Sequence, residues 1–336
     1  MNKTYIVAEV GPNHNGSFQL ALEFVEKLSL IGVDAIKFQL AVPELLYSKD
    51  SFKATYQKKG DNEESALEMS LRNQLTRNEH ISLYNKCREA GTDYLCTAFD
   101  IQSLKFLNEN MDLPYFKIAS GEIFSLDIIE YISKCNKPII LSSGMASYSE
   151  IETCINIINK ISNKEITVLH CISNYPTPYE DVNMNVMLEL KKRFGYSVGF
   201  SDHTLGNKSS LTAVAMGASI IEKHVTLDKT LPGPDHQASS TIEEFDELVK
   251  SIRRVEKIKG TRVKKLSLQE KEIASMARKS IVSKRDILPG EIIKEEDICY
   301  KRPGTGFLPT EKQLVVGKKV ATKIEADRVI QRKYLS

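Results

Sequence analysis

The chain has 336 residues, of which 41% are hydrophobic and 27% charged, and its formal net charge is +2. This is the composition of a folded globular protein, and the balanced charge excludes the strong positive field of a protein that binds nucleic acid or an anionic membrane. No apolar run is long enough to cross a bilayer, no signal-peptide pattern opens the sequence, and the six cysteines form no CxxC pair, so we expect reduced thiols and a cytoplasmic location.

Strand-like and helix-like segments alternate as far as residue 257. The predicted strands span 5–10, 35–39, 94–97, 115–118, 138–141, 166–170, 197–200 and 219–224. Capping boxes, in which Ser or Thr precedes Glu by three residues, predict helix starts at Thr76/Glu79, Ser149/Glu152 and Thr241/Glu244. Eight such βα units predict a (β/α)8 TIM barrel. The alternative is a doubly wound open sheet, which is less consistent with a chain that lacks a GxGxxG or Walker A loop.

Two histidines close the last two predicted strands. The first strand runs through Ser-Val-Gly-Phe-Ser-Asp to His203, the second through Ser-Ile-Ile-Glu-Lys to His224, and a helix is predicted between them over 208–216. Parallel strands of one sheet end on the same side, so we expect the two histidines to lie side by side. Two neutral imidazoles can share a divalent ion such as Mn2+, Mg2+ or Co2+, with carboxylates, water or substrate completing the coordination. The alternative is a pair of unrelated structural histidines.

Barrel enzymes carry their active sites at the carboxyl ends of the strands. In this chain those ends, with the loops after them, hold most of the reactive side chains and every histidine except His80. The side chains include Glu9, His14, Lys37, Gln39, Thr97, Lys117, Ser120, Glu122, Ser142, Ser143, His170, Tyr175, Ser201, His203, Glu222, Lys223, His224, Asp235 and His236. Lysines and hydroxyls of this kind can cradle a phosphate, while the carboxylates can bind hydroxyls or move protons. The long polar segment 41–75 is expected to cover the mouth as a lid.

The composition changes near residue 258. Residues 258–279 are basic and helix-prone, and residues 280–336 show short strands and turns with a net positive charge. We therefore predict a barrel domain over 1–257, a linker over 258–279 and a small second domain over 280–336. A domain of that size is marginal alone and is expected to pack on the barrel or on a partner.

Several ordered motifs carry a resemblance to a known family. They include AEVGPNHNG (8–16), AIKFQ (35–39), FKIASGE (116–122), GFSDHT (199–204), IEKH with PGPDH (221–236) and KRPGTG (301–306). The chain resembles the sialic acid synthase family, the bacterial N-acetylneuraminate synthases and their legionaminic and pseudaminic acid synthase relatives. The resemblance implies condensation of phosphoenolpyruvate with an N-acetylmannosamine-type sugar to give a nine-carbon 2-keto acid and phosphate. It also implies an antifreeze-like (SAF) C-terminal domain and a domain-swapped homodimer.

The resemblance also implies roles for individual residues. It makes His203 and His224 the metal ligands, and Glu9 or Glu122 the group that activates water. Phosphoenolpyruvate contacts fall on Lys37, Thr97, Lys117, Ser120, Ser142 and Ser201. Sugar contacts fall on Glu9, Gln39, Glu122, Tyr175, Asp235 and, from the small domain of the partner subunit, Arg302, which is expected to bind the N-acyl group.

Two departures from the family pattern, Ser173 and Met276, both concern the acceptor sugar, so the choice between sialic and legionaminic acid stays open. A rival interpretation is a Schiff-base aldolase that uses Lys117 or Lys223. A non-catalytic interpretation makes the chain a sugar- or ice-binding protein. Metal dependence and phosphate release would separate the synthase from both.

Overall fold

The structure, a computed structural model, describes residues 3–48, 50–51 and 65–336. Eight parallel strands are present where the sequence predicts them, with ends that differ by no more than two residues. They are β1 (Tyr5–Glu9), β2 (Ala35–Leu40), β3 (Asp93–Ala98), β4 (Phe116–Ile118), β5 (Ile139–Ser142), β6 (Ile166–Cys171), β7 (Ser197–Asp202) and β8 (Ile220–His224).

Helices follow the strands on the outside of the sheet. They are α1 (Phe18–Leu30), α2 (Pro43–Leu46), α3 (Ala66–Arg72), α4 (Arg77–Glu89), α5 (Ile101–Asn110), α6 (Leu126–Lys134), α7 (Tyr148–Ile161), α8 (Asn185–Phe194), α9 (Lys208–Met216) and α10 (Ile242–Lys259). The capping boxes at Thr76 and Thr241 are confirmed. The box predicted at Ser149/Glu152 is wrong, because Ser147 and Glu150 cap α7 with the same spacing two residues earlier.

The strand order shows that the sheet is a barrel. It runs β3-β2-β1-β8-β7-β6-β5-β4, so the first strand pairs with the last, and an open doubly wound sheet is excluded. β3 and β4 lie side by side, and among the described residues no ladder hydrogen bonds join them. The predicted (β/α)8 fold is confirmed.

Side-chain alternation along the strands separates two apolar cores. Residues on one face, among them Ile6, Ile36 and Phe200, pack against the surrounding helices. Residues on the other face fill the barrel axis with a smaller cluster of Val7, Ala35, Leu95, Ile140, Leu169 and Ile220. Because successive side chains of a strand point to opposite faces, residues an even number of positions from this inner cluster also point inward.

A second unit begins after Gly260. It contains α11 (Leu268–Ala277) and an antiparallel pair formed by β9 (Ser280–Ser283) and β10 (Ile298–Lys301). Its core is built from Ile281, Ile287, Ile293, Ile298, Phe307, Val315, Val320, Ile324 and Ile330. The predicted linker 258–279 thus includes the end of α10 and all of α11. Across the described part of the chain, no helix is both long and apolar enough to span a bilayer.

Candidate active site

A cavity of about 320 Å³ opens at the carboxyl ends of the barrel strands. It brings together every residue to which the family resemblance gives a role except Glu122 and Arg302. These lining residues are Glu9, Lys37, Gln39, Thr97, Lys117, Ser120, Ser142, Tyr175, Ser201, His203, His224 and Asp235. Most of them are inward-facing positions at the ends of strands, which explains how distant segments meet here.

Lys37 lies at the centre of one group of contacts. Its Nζ is 2.7 Å from Glu9 Oε2 and 3.6 Å from Glu222 Oε2, and it donates a hydrogen bond of 3.1 Å to Thr97 Oγ1. Gln39 Nε2 donates to the other oxygen of Glu9 at 2.8 Å. Burial alone would lower the pKa of Lys37, but Glu222 and Glu9 raise it, so this lysine is held as a cation.

Glu222 joins the two lysines of the cavity. Lys117 Nζ lies 3.0 and 3.1 Å from its two carboxylate oxygens, and Ser201 Oγ donates to it at 2.9 Å. Burial would raise the pKa of Glu222, yet Lys117 and Lys37 hold it well below its usual range. The family resemblance assigned no role to Glu222, although this residue lies two positions before His224 and therefore on the same face of β8.

Two further carboxyl groups of the cavity have raised pKa values. Burial raises the pKa of Glu9, and the nearby Glu222 adds to this effect while Lys37 opposes it. Burial, with Glu9 close by, raises the pKa of Asp235 to about 7. Both groups can therefore exchange a proton more readily near neutral pH than exposed carboxylates can.

The two predicted histidines face each other across the cavity wall. Their ring centroids are 5.6 Å apart, and the ring of Tyr175 lies 4.1 Å from that of His203. His203 Nδ1 donates to Ile172 O at 2.6 Å, so the lone pair of the neutral ring is on Nε2, which lies 3.4 Å from Ser201 Oγ. His224 Nδ1 is buried, has no hydrogen-bond partner in the part of the chain that the structure describes, and lies 3.8 Å from Asp235 Oδ2.

The donor set of this pair suits a divalent ion. Burial lowers the pKa of His203 to about 4 and that of His224 well below its usual value, so both imidazoles are neutral, as metal ligands must be. The backbone partner of His203 fixes its tautomer in the manner of a ligating histidine. Within the described ranges, no group of three or more His, Cys, Asp or Glu side chains is arranged around a common point, so water or substrate would complete the coordination.

Several residues predicted from the sequence lie elsewhere. Glu122 is half-buried, accepts a hydrogen bond of 2.5 Å from Ser125 Oγ and does not line the cavity. Arg302 is exposed in the C-terminal unit, where its Nε donates to Ala277 O at 2.9 Å.

Two residues that we expected at the strand ends point outward. His170 faces the helices and donates from Nε2 to Val182 O. Lys223 also points away from the cavity, toward Thr204, which removes it as a Schiff-base candidate.

The segment between β2 and α4 forms one wall of the cavity. Our sequence prediction named none of the residues of this segment that line the cavity. Its lining includes Tyr47, Met69, Ser70, Asn73 and Gln74. Asn73 is buried, and its Oδ1 has no hydrogen-bond partner among the described residues. The predicted lid over 41–75 includes residues 49 and 52–64, which lie outside the described residues.

A glycine allows close approach beside Ser120. Gly144 has a φ of +31°, and a Cβ at this position would lie 2.1 Å from Ser120 Cβ. Ser120 Oγ in turn lies 3.2 Å from Ser173 Oγ. A side chain larger than glycine at residue 144 would displace Ser120 from the cavity wall.

Comparison with known proteins identifies the family. Residues 24–264 match the NeuB family, and residues 278–335 match the SAF domain. The chain is 41% identical over 334 residues to the N,N'-diacetyllegionaminic acid synthase of Campylobacter jejuni, covering 98% of this chain and 100% of that protein. It is 32% identical to the human N-acetylneuraminate-9-phosphate synthase, in an alignment that covers 97% of this chain and 91% of that protein.

A solved structure agrees with this likeness. The N-acetylneuraminic acid synthetase of Leptospira borgpetersenii, in complex with citrate, superposes with a TM-score of 0.73 at 32% identity, covering 81% of this chain and 90% of that one. Family match, full-length relatives and fold agree, and the chain therefore belongs to the NeuB family.

Proposed function

We propose that this protein is a nonulosonic acid synthase, a transferase that condenses phosphoenolpyruvate with an N-acetylmannosamine-type sugar. The product would be N-acetylneuraminate or N,N'-diacetyllegionaminate, with release of phosphate. One observation carries the proposal: two buried lysines, a set of hydroxyls and a pair of neutral histidines line a single cavity. The names of the relatives in the NeuB family support the same reaction.

The cationic side of the cavity suits phosphoenolpyruvate. Lys37 and Lys117 supply positive charge, and the hydroxyls of Thr97, Ser142 and Ser201 lie at the carboxyl ends of β3, β5 and β7. Glu222 and Glu9 hold the ammonium groups in place, so the charges facing the substrate are oriented before it binds. Ser120 extends this surface from the loop after β4.

His203 and His224 would hold a divalent ion, with Mn2+, Mg2+ and Co2+ as the candidates. When bound, such an ion polarises a carbonyl oxygen as a Lewis acid, which suits the aldehyde of the sugar. Because burial lowers the pKa of both histidines, their imidazoles are unprotonated and protons do not compete with the ion for them.

The remaining chemistry can be assigned to the chain itself. C3 of phosphoenolpyruvate forms a bond to the aldehyde carbon, water adds at the cationic C2, and the aldehyde oxygen gains the proton that this water loses. Glu9 accepts the proton of that water, because it lies in the cavity with a raised pKa, whereas Glu122 does not line the cavity. The bond between C2 and the phosphate oxygen then breaks, phosphate leaves with the electron pair and takes up the proton of the C2 hydroxyl, and C2 becomes the ketone.

The sugar would lie on the side of the cavity that carries the histidine pair. Gln39, Tyr175, Asp235 and Glu9 present hydrogen-bonding groups there beside the histidine pair. Identity to the legionaminic acid synthase exceeds identity to the neuraminate-9-phosphate synthase, 41% against 32%, which favours a 2,4-diacetamido acceptor.

Phosphate release tests the reaction directly. Purified protein is incubated with phosphoenolpyruvate and a panel of N-acyl sugars, with and without EDTA, and inorganic phosphate is measured. We expect sugar-dependent release that EDTA abolishes and Mn2+ restores. Metal-independent turnover of a keto acid, with a borohydride-trapped pyruvate adduct on Lys117, would instead establish the aldolase.

We also propose a domain-swapped homodimer in the cytoplasm, in which Arg302 reaches the partner's cavity and binds the N-acyl group. Exposure of Arg302 supports the dimer, and the free thiols of all six cysteines support a reducing compartment. Mixing two inactive proteins, Arg302→Ala and His224→Ala, should restore up to about a quarter of wild-type activity, since random exchange makes half of the dimers mixed and one site in each intact. No recovery despite proven subunit exchange would contradict the swap.

A further inference from the structure

A buried ion pair lies directly behind the two histidines and has no part in the reaction proposed above. Asp202 and Lys223 are each no more than 2% exposed, and the Lys223 Nζ lies 3.1 Å from Asp202 Oδ2. Neither residue lines the cavity. Each immediately precedes one of the histidines in sequence, so the pair joins the two strand ends that carry them.

The register of the sheet explains the contact. In the parallel pairing of β7 and β8, Ser201 lies opposite Glu222, and Asp202 lies opposite Lys223. Ser201 and Glu222 face inward and share a hydrogen bond of 2.9 Å. Asp202 and Lys223 face outward and form the ion pair. The strands are therefore linked on both faces just before His203 and His224.

Further hydrogen bonds fix the outer pair to the start of α9. Asp202 Oδ1 accepts from Thr204 N at 2.9 Å and Thr204 Oγ1 at 2.7 Å, while Oδ2 accepts from Ser210 Oγ at 2.5 Å. Lys223 Nζ donates to Thr204 O at 2.6 Å. Thr204 follows His203 directly, so the network holds the backbone on both sides of that histidine.

Packing alone gives no reason for charges at these positions. The other outward-facing residues nearby, Phe200 on β7 and Ile221 and Val225 around β8, belong to the apolar core against the helices. Replacing a buried ion pair by apolar side chains is often neutral or stabilising, because desolvation offsets much of the attraction. A directional network, unlike an apolar contact, fixes the relative position of two backbones.

We propose that the Asp202–Lys223 pair is a positioning element that sets the spacing of His203 and His224 and thereby the affinity of the protein for its divalent ion. This inference rests on the proposed assignment of the two histidines to such an ion. Supporting partners of metal ligands have a known scale of effect, since their loss weakens metal binding by about 10- to 100-fold.

The test measures Mn2+ binding to the metal-free full chain by calorimetry, without substrates. Lys223→Met and Asp202→Asn should each weaken Mn2+ binding by about 10- to 100-fold and alter the visible spectrum of the Co2+-loaded protein. The double variant should be impaired by about tenfold, less than the two single effects combined, because it leaves no unpaired buried charge. It also keeps the test decisive if a single variant does not fold.

Arg253→Met is the matched control. Arg253 pairs with Asp34 at 2.6 Å and donates to Thr4 O at 2.8 Å, at the amino end of the barrel. This variant should melt at a lower temperature with an unchanged Mn2+ affinity. Folded single and double variants that bind Mn2+ within twofold of wild type would overturn the positioning role alone. A wild-type protein that binds none of Mn2+, Co2+ and Mg2+ would overturn the metal assignment and this inference with it.

Discussion

The inner face of the barrel strands is apolar toward the amino end and mostly charged or polar toward the carboxyl end. Along each strand the two layers are only two residues apart. At the amino end, Val7, Ala35, Leu95, Ile140, Leu169 and Ile220 form a buried apolar cluster. Two positions further on, the same inward face carries Glu9, Lys37, Thr97, Ser142, Cys171 and Glu222, all in the cavity. One layer thus stabilises the barrel and the next supplies the chemistry, so substitutions in the two layers should have separable effects.

The largest effect is expected at the histidine pair. His203→Ala or His224→Ala should lower kcat by about 10³-fold or more, because the divalent ion proposed for this pair would contribute several kcal/mol to stabilising the transition state. Circular dichroism should show an intact fold. His170→Ala is the matched control. His170 also lies near the carboxyl end of a barrel strand but faces outward, so the folded variant should keep the kcat of the wild type. Wild-type turnover by a metal-stripped double variant would contradict the assignment.

In the apolar layer, the effect should fall on stability instead. Leu169 is fully buried and packs closely on Gly199, where an added Cβ would lie 2.5 Å from Leu169 Cδ2. Gly199 has no side chain that could fill the space left by a shorter residue 169. Leu169→Ala should lower the free energy of unfolding by about 2–5 kcal/mol, as large-to-small core substitutions do. Urea unfolding measures this loss. A large change in the KM for phosphoenolpyruvate of the folded variant would show that the two layers are coupled.

Smaller effects are expected at the lysines of the charged layer. Lys37→Ala and Lys117→Ala should each raise the KM for phosphoenolpyruvate by about ten- to a hundredfold, since each removes a charge-assisted contact of about 1.5–3 kcal/mol. Steady-state kinetics in both substrates measures the change. Lys137→Ala, which removes a half-buried lysine paired with Asp112 at the amino end of β5, is the control and should change neither KM. A rise confined to the sugar KM would mean that the two substrate sites are reversed.

Strand positions could be predicted because covered parallel strands are short apolar runs between helical segments. The face of each strand-end residue was harder to assign, since polar side chains occur on both faces there. Because side chains alternate along a strand, His224 points inward like Glu222, and Lys223 points outward. The outward position of Lys223 is buried, and its charge is stabilised there by the ion pair with Asp202.

Loop residues could be predicted less well than strand residues. Asn73 follows α3 in a segment without a repeating apolar pattern, so the prediction of a lid over 41–75 could not identify it as a residue that lines the cavity. Glu122 follows Ser120 in a single helical turn, and its hydrogen bond to Ser125 directs the carboxylate away from the lining. Such directions depend on local hydrogen bonds that spacing alone does not reveal.

The smallest effect is expected from a polar contact at the amino end. Tyr5 OH donates to Asp93 Oδ2 at 2.7 Å, and the Tyr5 ring lies 5.4 Å from that of Tyr115 beneath the apolar layer. Tyr5→Phe keeps the ring contact and removes only the hydroxyl, so the free energy of unfolding should fall by about 0.5–1.5 kcal/mol. Urea unfolding beside Leu169→Ala measures the difference, and both KM values should stay at wild type. A loss of turnover without a loss of stability would show that the amino end of the barrel also affects the active site. The apolar layer lies between this contact and the cavity, so it would have to transmit that effect.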